Sequence, residues 1–256
     1  IFCRIMNLLY GLSKPILFAH RGASAHAPEN TLAAFKLADN SGAVAVELDA
    51  KLSADGVVMV IHDPTLPRTT GAAGWVNQCS YEELRRLDAG SFFSASFQGE
   101  RIPTLEEVFD LLGDRVLINV ELTNYTSPRD SLVEKVAALV KKHHLQETVI
   151  FSSFSPFNLL KARRLLPDVP GGLLATEGFS GGWARSCMAR CLFPRLIHPY
   201  FEDTSAAYIR NQHKHQRRVN VWTVNDPQEM KRLFDAGVDG IFTDDPLLAQ
   251  HVLEAG

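Results

Sequence analysis

The sequence has no run of the ~20 apolar residues that a membrane-crossing helix needs. Stable membrane insertion is therefore not expected. An excess of basic charge is also missing: 26 Lys and Arg stand against 29 Asp and Glu, for a formal net charge of −3. A nucleic-acid-binding face needs clustered positive charge, so nucleic acid is not an expected partner. Cysteine is scarce, with only Cys3, Cys79, Cys187 and Cys191 in 256 residues. The closest pair is spaced C-x-x-x-C, neither the redox C-x-x-C nor a common zinc knuckle, so reduced thiols in a cytoplasmic protein are expected. Residues 1–12 lean apolar but have no h-region ending in a small-residue cleavage site, which argues against a signal peptide. Met6 would serve as a start, and a longer precursor cut before Ile1 would read the same way. The G-x-G-x-x-G of a dinucleotide-binding turn, low-complexity linkers and short-period repeats are all absent.

Hydrophobic residues make up 46 % of the chain and charged residues 21 %, ordinary values for a protein with a packed core. Strand and helix patterns alternate from end to end. Short apolar runs at 16–19, 44–49, 116–122, 148–151, 172–175, 196–197, 219–223 and 240–243 read as strands. A further extended piece, 57–61, follows the Ala54-Asp55-Gly56 turn. Helices are predicted over 31–40 with Asn30 as N-cap, 105–112 with Thr104 as N-cap, 131–143, 156–166, 182–191, 204–215, 227–236 and 246–253. Eight strands each followed by a helix imply a parallel sheet with right-handed crossovers. Closure of that sheet gives a TIM (β/α)8 barrel, which commonly needs about 250 residues. An open doubly wound sheet is the alternative. We expect one domain over 14–256, with 63–101 as an insertion over the barrel mouth, because that stretch is too long for an ordinary connection. The sequence carries no signal for an oligomeric state.

Barrel chemistry sits at the C-terminal ends of strands. Those ends hold His20-Arg21-Gly22, Glu47 and Asp49, His62-Asp63, Glu121, and the neighbourhood of Trp222. Glu47 and Asp49 are two apart on a strand, so both face the same way. Two adjacent buried carboxylates repel unless a cation lies between them, and Glu121 on the adjacent strand offers a third oxygen. An all-carboxylate set suits one hard divalent ion, Mg2+ or Ca2+, better than zinc. The bland alternative is a structural network of acids with lysines and arginines. His20 and His62 flank the acids and suit general acid and base work near neutral pH, although a lone histidine is more often structural. Arg21 offers a planar fork for a phosphate, or else a surface ion pair. Metal, proton shuttles and an anion contact are the equipment of phosphodiester cleavage.

These residues carry a resemblance. His20-Arg21-Gly22, Pro28-Glu29-Asn30-Thr31, Val46-Glu47-Leu48-Asp49, Asp55-Gly56 and His62-Asp63 stand in the order of the glycerophosphodiester phosphodiesterase family. So do Pro103-Thr104-Leu105-Glu106-Glu107, Asn119-Val120-Glu121-Leu122, Ser152-Ser153-Phe154, Val221-Trp222-Thr223-Val224-Asn225 and Gly240-Ile241-Phe242-Thr243-Asp244. The resemblance runs over about 16–253. It implies a TIM barrel with a small insertion, metal ligands at Glu47, Asp49 and Glu121, and catalytic histidines at His20 and His62. It further implies a phosphate contact at Arg21 and a glycerol-side wall at Trp222. The implied reaction is metal-dependent hydrolysis of a glycerophosphodiester to sn-glycerol 3-phosphate and an alcohol, by water or through a cyclic phosphate.

One departure stands out. Many members of the family carry a lysine two residues after the glutamate equivalent to Glu121, whereas here Thr123 stands in that place. Either Arg21 and the metal suffice, or another basic residue such as Arg185 enters the site on a lid over 181–194, or the substrate differs. No second fixed cation is near in sequence, so Arg21 and the metal are expected to hold the phosphate. Two other functions compete. One is a lysophospholipase D-like or phospholipase C-like activity, with Phe92, Phe93, Phe97, Trp183, Phe193 and Phe201 forming an apolar mouth. The other is a barrel that binds phosphodiesters without turnover.

Overall fold

The structure is a computed structural model that describes residues 7–256 apart from Pro194. Cys3, Met6 and the rest of the first six residues lie outside the described residues. In chain order the elements are β1 (Ile16–Ala19), α1 (Leu32–Asn40), β2 (Ala45–Leu52), β3 (Val58–Val60), α2 (Pro67–Thr70), α3 (Tyr81–Arg85) and α4 (Leu105–Leu112). Then follow β4 (Leu117–Leu122), α5 (Leu132–Lys142), β5 (Val149–Ser153), α6 (Pro156–Leu165), β6 (Gly171–Ala175), α7 (Gly182–Arg185) and α8 (Cys187–Leu192). The chain ends with β7 (Leu196–Pro199), α9 (Ala206–Lys214), β8 (Arg218–Val221), α10 (Pro227–Asp235), β9 (Gly240–Thr243) and α11 (Pro246–Glu254).

Eight parallel strands pair in the order β1-β9-β8-β7-β6-β5-β4-β2, and β1 pairs back to β2, which closes the barrel. The ninth strand, β3, is antiparallel to the outer half of β2 through Ala50↔Val60, Lys51↔Met59 and Leu52↔Val58. This is the TIM barrel expected from the alternating pattern. The open sheet is excluded by the β1–β2 pairing.

Strand periodicity sorts the side chains into two sets. On β2, Val46, Leu48, Ala50 and Leu52 face the helices and join the large apolar layer between sheet and helix ring. Ala45, Glu47, Asp49 and Lys51 are the alternate set and face the barrel interior. The same alternation on β4 leaves Leu117, Asn119 and Glu121 inside. Rising through the barrel, the interior begins with an apolar floor of Leu9, Ile16, Phe18, Ala45, Leu117, Ile150, Leu196 and Phe242. Above it lie the buried Asn119, Ser152, His198 and Asn220, and the carboxylates stand above these at the mouth. The Glu47, Asp49 and Glu121 carboxylates thus stand above an apolar floor, at the C-terminal ends of β2 and β4.

Local chemistry fixes the helix starts. Thr104 caps α4, as the sequence suggested, and with Glu107 it forms a reciprocal capping box. Asn30 does not cap α1. Thr31 does so instead, its Oγ1 accepting from Ala34 N, while Asn30 adopts φ 57° and turns its side chain to Asp49. Ser205 caps α9, so that helix starts later than 204. The helix expected over 182–191 is two short helices broken at Ser186, whose extended backbone (φ −71°, ψ 165°) caps α8. In 63–101, α2, α3 and two short 3-10 turns pack Leu66, Val76, Leu84 and Ala89 against Met59, Ile61 and Ile102. That stretch therefore has a small apolar core of its own.

Candidate active site

Register brings the acids together. β2 and β4 pair with Glu47 opposite Asn119 and Asp49 opposite Glu121. Ligand oxygens of Glu47, Asp49 and Glu121 all lie within 4.8 Å of one another. Each carboxylate is held by one neighbour. Arg21 N donates to Glu47 Oε2 at 3.0 Å, Asn30 Nδ2 to Asp49 Oδ2 at 2.9 Å, and the Tyr125 hydroxyl to Glu121 Oε1 at 2.8 Å. Glu47 Oε1 is buried and has no hydrogen-bond partner among the described residues. An orphaned buried carboxylate oxygen on a member of a three-acid cluster is what a hard cation would satisfy. Burial, followed by repulsion from Asp49 and Glu121, pushes the Glu47 carboxyl well above its ordinary range. Burial and Asp49 push Glu121 up to about 8. Burial raises Asp49 too, but the nearby Arg21, His62 and Lys51 outweigh it and hold that carboxyl below its ordinary value.

The two histidines are oriented alike. His20 Nδ1 lies 2.6 Å from Asp244 Oδ1, and Asp244 also accepts from Ser24 Oγ and Asn225 Nδ2. Burial works against ionisation of Asp244, but its bonds to His20, Asn225 and Ser24 bring it down to about 2. A carboxylate so acidic carries no proton at neutral pH, so Nδ1 must donate and Nε2 is left open toward Glu47 Oε2, 3.9 Å away. His62 Nδ1 lies 2.7 Å from Asp63 Oδ1. The Arg68 guanidinium, chiefly by hydrogen bonding, holds Asp63 at about 2, so His62 is likewise left with a free Nε2.

Arg21 reaches the pocket from the turn after β1. Its Nη1 donates to Glu29 at 2.9 Å and its Nε lies 3.4 Å from Asp49 Oδ2. Glu29 also receives Arg68, which ties the 63–101 stretch to the His20-Arg21-Gly22 turn. Trp222 donates from Nε1 to His198 O at 2.8 Å, and its ring meets Phe154 edge-on at 5.4 Å. His20, Arg21, Glu47, His62, Glu121 and Trp222 all line one pocket of about 90 Å³, with Phe154 and Phe242 on its wall. Asp49, 1 % exposed, lies behind that surface within the acid cluster. All seven residues singled out from the sequence thus meet at one place.

Other expectations need correcting. Arg185 is not on the pocket wall; it is pinned by Asp203 and by the carbonyls of Thr176 and Gly178. A second fixed cation is present after all. Lys51 Nζ donates to Thr123 Oγ1 at 2.6 Å and to Thr123 O at 3.1 Å. Sequence reasoning also missed the supports: Asp244 and Asn225, Asp63 with Arg68 and Glu29, Asn30, and Tyr125. Asp63 is adjacent to its histidine and so was within reach. The His20–Asp244 contact spans 224 residues and leaves no local signal.

Fold and site together define a barrel enzyme with an acidic mouth between two carboxylate-held histidines. The chain belongs to the glycerophosphoryl diester phosphodiesterase family, whose sequence profile matches residues 20–248, and is an enzyme of the phosphoric diester hydrolase class. It is 40 % identical over 244 residues to a glycerophosphodiester phosphodiesterase of Caldanaerobacter subterraneus, covering 95 % of this chain and 99 % of the relative. A phosphodiesterase of Oleispira antarctica, solved with the product sn-glycerol-3-phosphate, superposes with a TM-score of 0.87 at 30 % identity, over 96 % of this chain and 99 % of that one. A glycerophosphodiester phosphodiesterase of Agrobacterium tumefaciens superposes at 0.79 with 30 % identity, over 92 % and 98 % of the two chains. Among the described residues no helix is long and apolar enough to cross a membrane.

Proposed function

We propose that this chain hydrolyses glycerophosphodiesters to sn-glycerol 3-phosphate and an alcohol, using one divalent cation held by Glu47, Asp49 and Glu121. The observation that carries the reading is the three-carboxylate cluster lying between two histidines whose Nδ1 atoms are fixed by carboxylates. The orphaned Glu47 Oε1 and the raised Glu47 and Glu121 carboxyls support a cation there, and oxygen-only donors favour Mg2+ or Ca2+. When bound, the cation spreads the negative charge that develops on the phosphoryl oxygens. His20 and His62 take the two proton-transfer roles. One Nε2 accepts a proton from the attacking oxygen as it bonds to phosphorus; that oxygen is either water's or the glycerol hydroxyl's, and in the second case a water then opens the cyclic phosphate to sn-glycerol 3-phosphate. The other imidazole, protonated, gives its proton to the alcohol oxygen as the P–O bond breaks. Arg21 contacts the phosphate, and the Trp222 ring walls the glycerol side. We assign 14–256 to a single catalytic domain, with 63–101 covering one side of the mouth through Asp63 and Arg68, beside His62.

A lysophospholipid-directed reading finds less support. None of Phe92, Phe93, Phe97, Trp183, Phe193 and Phe201 lines the pocket. Phe193 is buried, and Phe97 packs edge-on to Phe93. A panel of glycerophosphodiesters assayed with and without exhaustive chelation tests the proposal, with lysophosphatidylcholine as comparison. Turnover of glycerophosphocholine is expected only with Mg2+ or Ca2+ restored, and Asp49→Asn is expected to remove it. Full activity after chelation, or in Asp49→Asn, would sink the metal assignment.

A further inference from the structure

β2 carries a third inward residue that the reaction scheme leaves unused. Glu47, Asp49 and Lys51 follow one another at intervals of two on the same strand face. Lys51 is 8 % exposed, so a cation is buried one step outward from the Asp49/Glu121 pair. Lysines are seldom buried without a carboxylate to pair with. Yet the only acceptors of Lys51 Nζ are Thr123 Oγ1 and Thr123 O, both neutral, and among the described residues it has no ion-pair partner. Thr123 Oγ1 in turn donates to Ala50 O, so the threonine is itself fixed and fixes the ammonium. Nζ has three donors and two are used. Its own cleft, beside Pro64, Val76 and Asn77, is separate from the pocket that holds His20 and His62. The ammonium therefore does not stand on the pocket wall, and any influence there must pass through its field.

Lys51 makes no direct ion pair among the described residues, yet it is held rigidly beside the acid cluster, so its charge acts on the ligands of that cluster through its field. We propose that Lys51 is a positioning residue for the anionic substrate: a fixed positive charge, anchored on Thr123, that favours the phosphate over the bare cation at the mouth. The inference rests on the proposed function of the same site. It also accounts for Thr123. A short hydroxyl there receives an ammonium from the next strand, so the positive charge stays in the layer above Glu121 although it comes from β2. The burial that lowers the Lys51 pKa is opposed by Asp49, Glu121 and Asp63, in keeping with a charge that those acids sense.

The two ligands respond to this charge with opposite signs, which separates a field effect from a packing effect. Unit charges about 10 Å apart at an effective dielectric of about 20 change an affinity roughly ten-fold. In Lys51→Met, which keeps the length and removes the charge, Mg2+ or Ca2+ measured alone by calorimetry should bind as tightly or up to roughly ten-fold more tightly. In the same variant, sn-glycerol 3-phosphate as competitive inhibitor should bind roughly ten-fold more weakly, and KM should rise more than kcat falls. Lys51→Arg should stay near wild type. The swap Lys51→Thr with Thr123→Lys should restore anion binding, because it returns a cation to the same layer. Loss of both affinities together in Lys51→Met, no change in either, or no recovery in the swap would each overturn the proposal. A wild-type protein that binds neither cation nor sn-glycerol 3-phosphate would instead defeat the functional reading beneath it.

Discussion

His20 and His62 look unlike in sequence, one beside an arginine and the other beside an aspartate, yet the structure gives them the same second partner. Asp244 and Asp63 each fix an Nδ1 proton and leave Nε2 open. Loss of a positioned general acid or base lowers turnover by about 10²-fold or more. His20→Ala and His62→Ala should each show at least that loss in kcat, with Tm little altered because both side chains stand at the mouth. A variant that keeps near wild-type kcat has been given the wrong role. Both candidates were readable from their positions at strand ends. Asp63, next to His62 in the chain, was within reach as an orienting carboxylate, but Asp244 was not, because it follows the last strand and meets His20 across 224 residues of chain. Asn30 failed as a predicted helix cap for a related reason. Its amide is more useful to Asp49 than to the helix, and adjacent Thr31 supplies the cap.

At the scale of elements, the contact between the His20-Arg21-Gly22 turn and α1 decides how exactly the site is held. Gly22 has φ 83°, and a Cβ there would fall 2.7 Å from both the carbonyl carbon and the Cβ of Ala34. The turn therefore presses on the first coil of α1, and only glycine fits both the backbone conformation and the space. Gly22→Ala should destabilise by about 2 kcal/mol or more, combining left-handed strain with overpacking. For a chain of this size that is a fall in Tm of about 5 °C. Activity should fall further than the loss of folded protein explains, since Arg21 N, one residue before, holds Glu47. An unchanged Tm would mean that the turn can lift from α1 without strain. Element order and most helix positions were legible from periodicity and caps. The break at Ser186 was not, because two four-to-six-residue helices and one longer helix have much the same local pattern.

For the molecule as a whole, the carboxylates of the site make stability depend on pH in opposite directions in two ranges. Glu121, raised to about 8, and Glu47, raised as well, keep protons in the folded metal-free protein that the unfolded chain has released above 4.5. Folded protein then binds more protons than unfolded, so stability falls as pH rises from 4.5 through about 8. Asp244 and Asp63, lowered to about 2, act the other way. Their contribution is present above 3.8 and is lost as pH falls from there to about 2. Thermal melts of chelated protein should therefore show Tm declining between pH 5 and about 8.5, and saturating Mg2+ or Ca2+ should raise Tm by more at the upper end. A chelated Tm that climbs over this range, or a cation-induced rise that shrinks with pH, would show that the acids are not clustered as described.

The sequence by itself determined an alternating chain of eight apolar strand runs and their helices, and it pointed to the seven residues that meet around the pocket; closure of the sheet into a barrel was decided by the β1–β2 pairing. The runs and the seven residues both rest on local rules: a strand alternates with period two, and a strand of this architecture ends at the mouth. It could not determine which residues support those seven. Hydrogen bonds such as His20–Asp244 and Lys51–Thr123 join strands far apart in the chain, and only closure and register bring them to within 3 Å. Arg185 illustrates the same limit from the other side. Its position after β6 placed it near the mouth in sequence terms, but the loop carbonyls and Asp203 satisfy its guanidinium away from the pocket. Lys51 was visible at the right spacing beside Glu47 and Asp49. What the tertiary structure decided was that its charge is buried, anchored on the strand-end Thr123 next to it, and, among the described residues, without a direct ion pair.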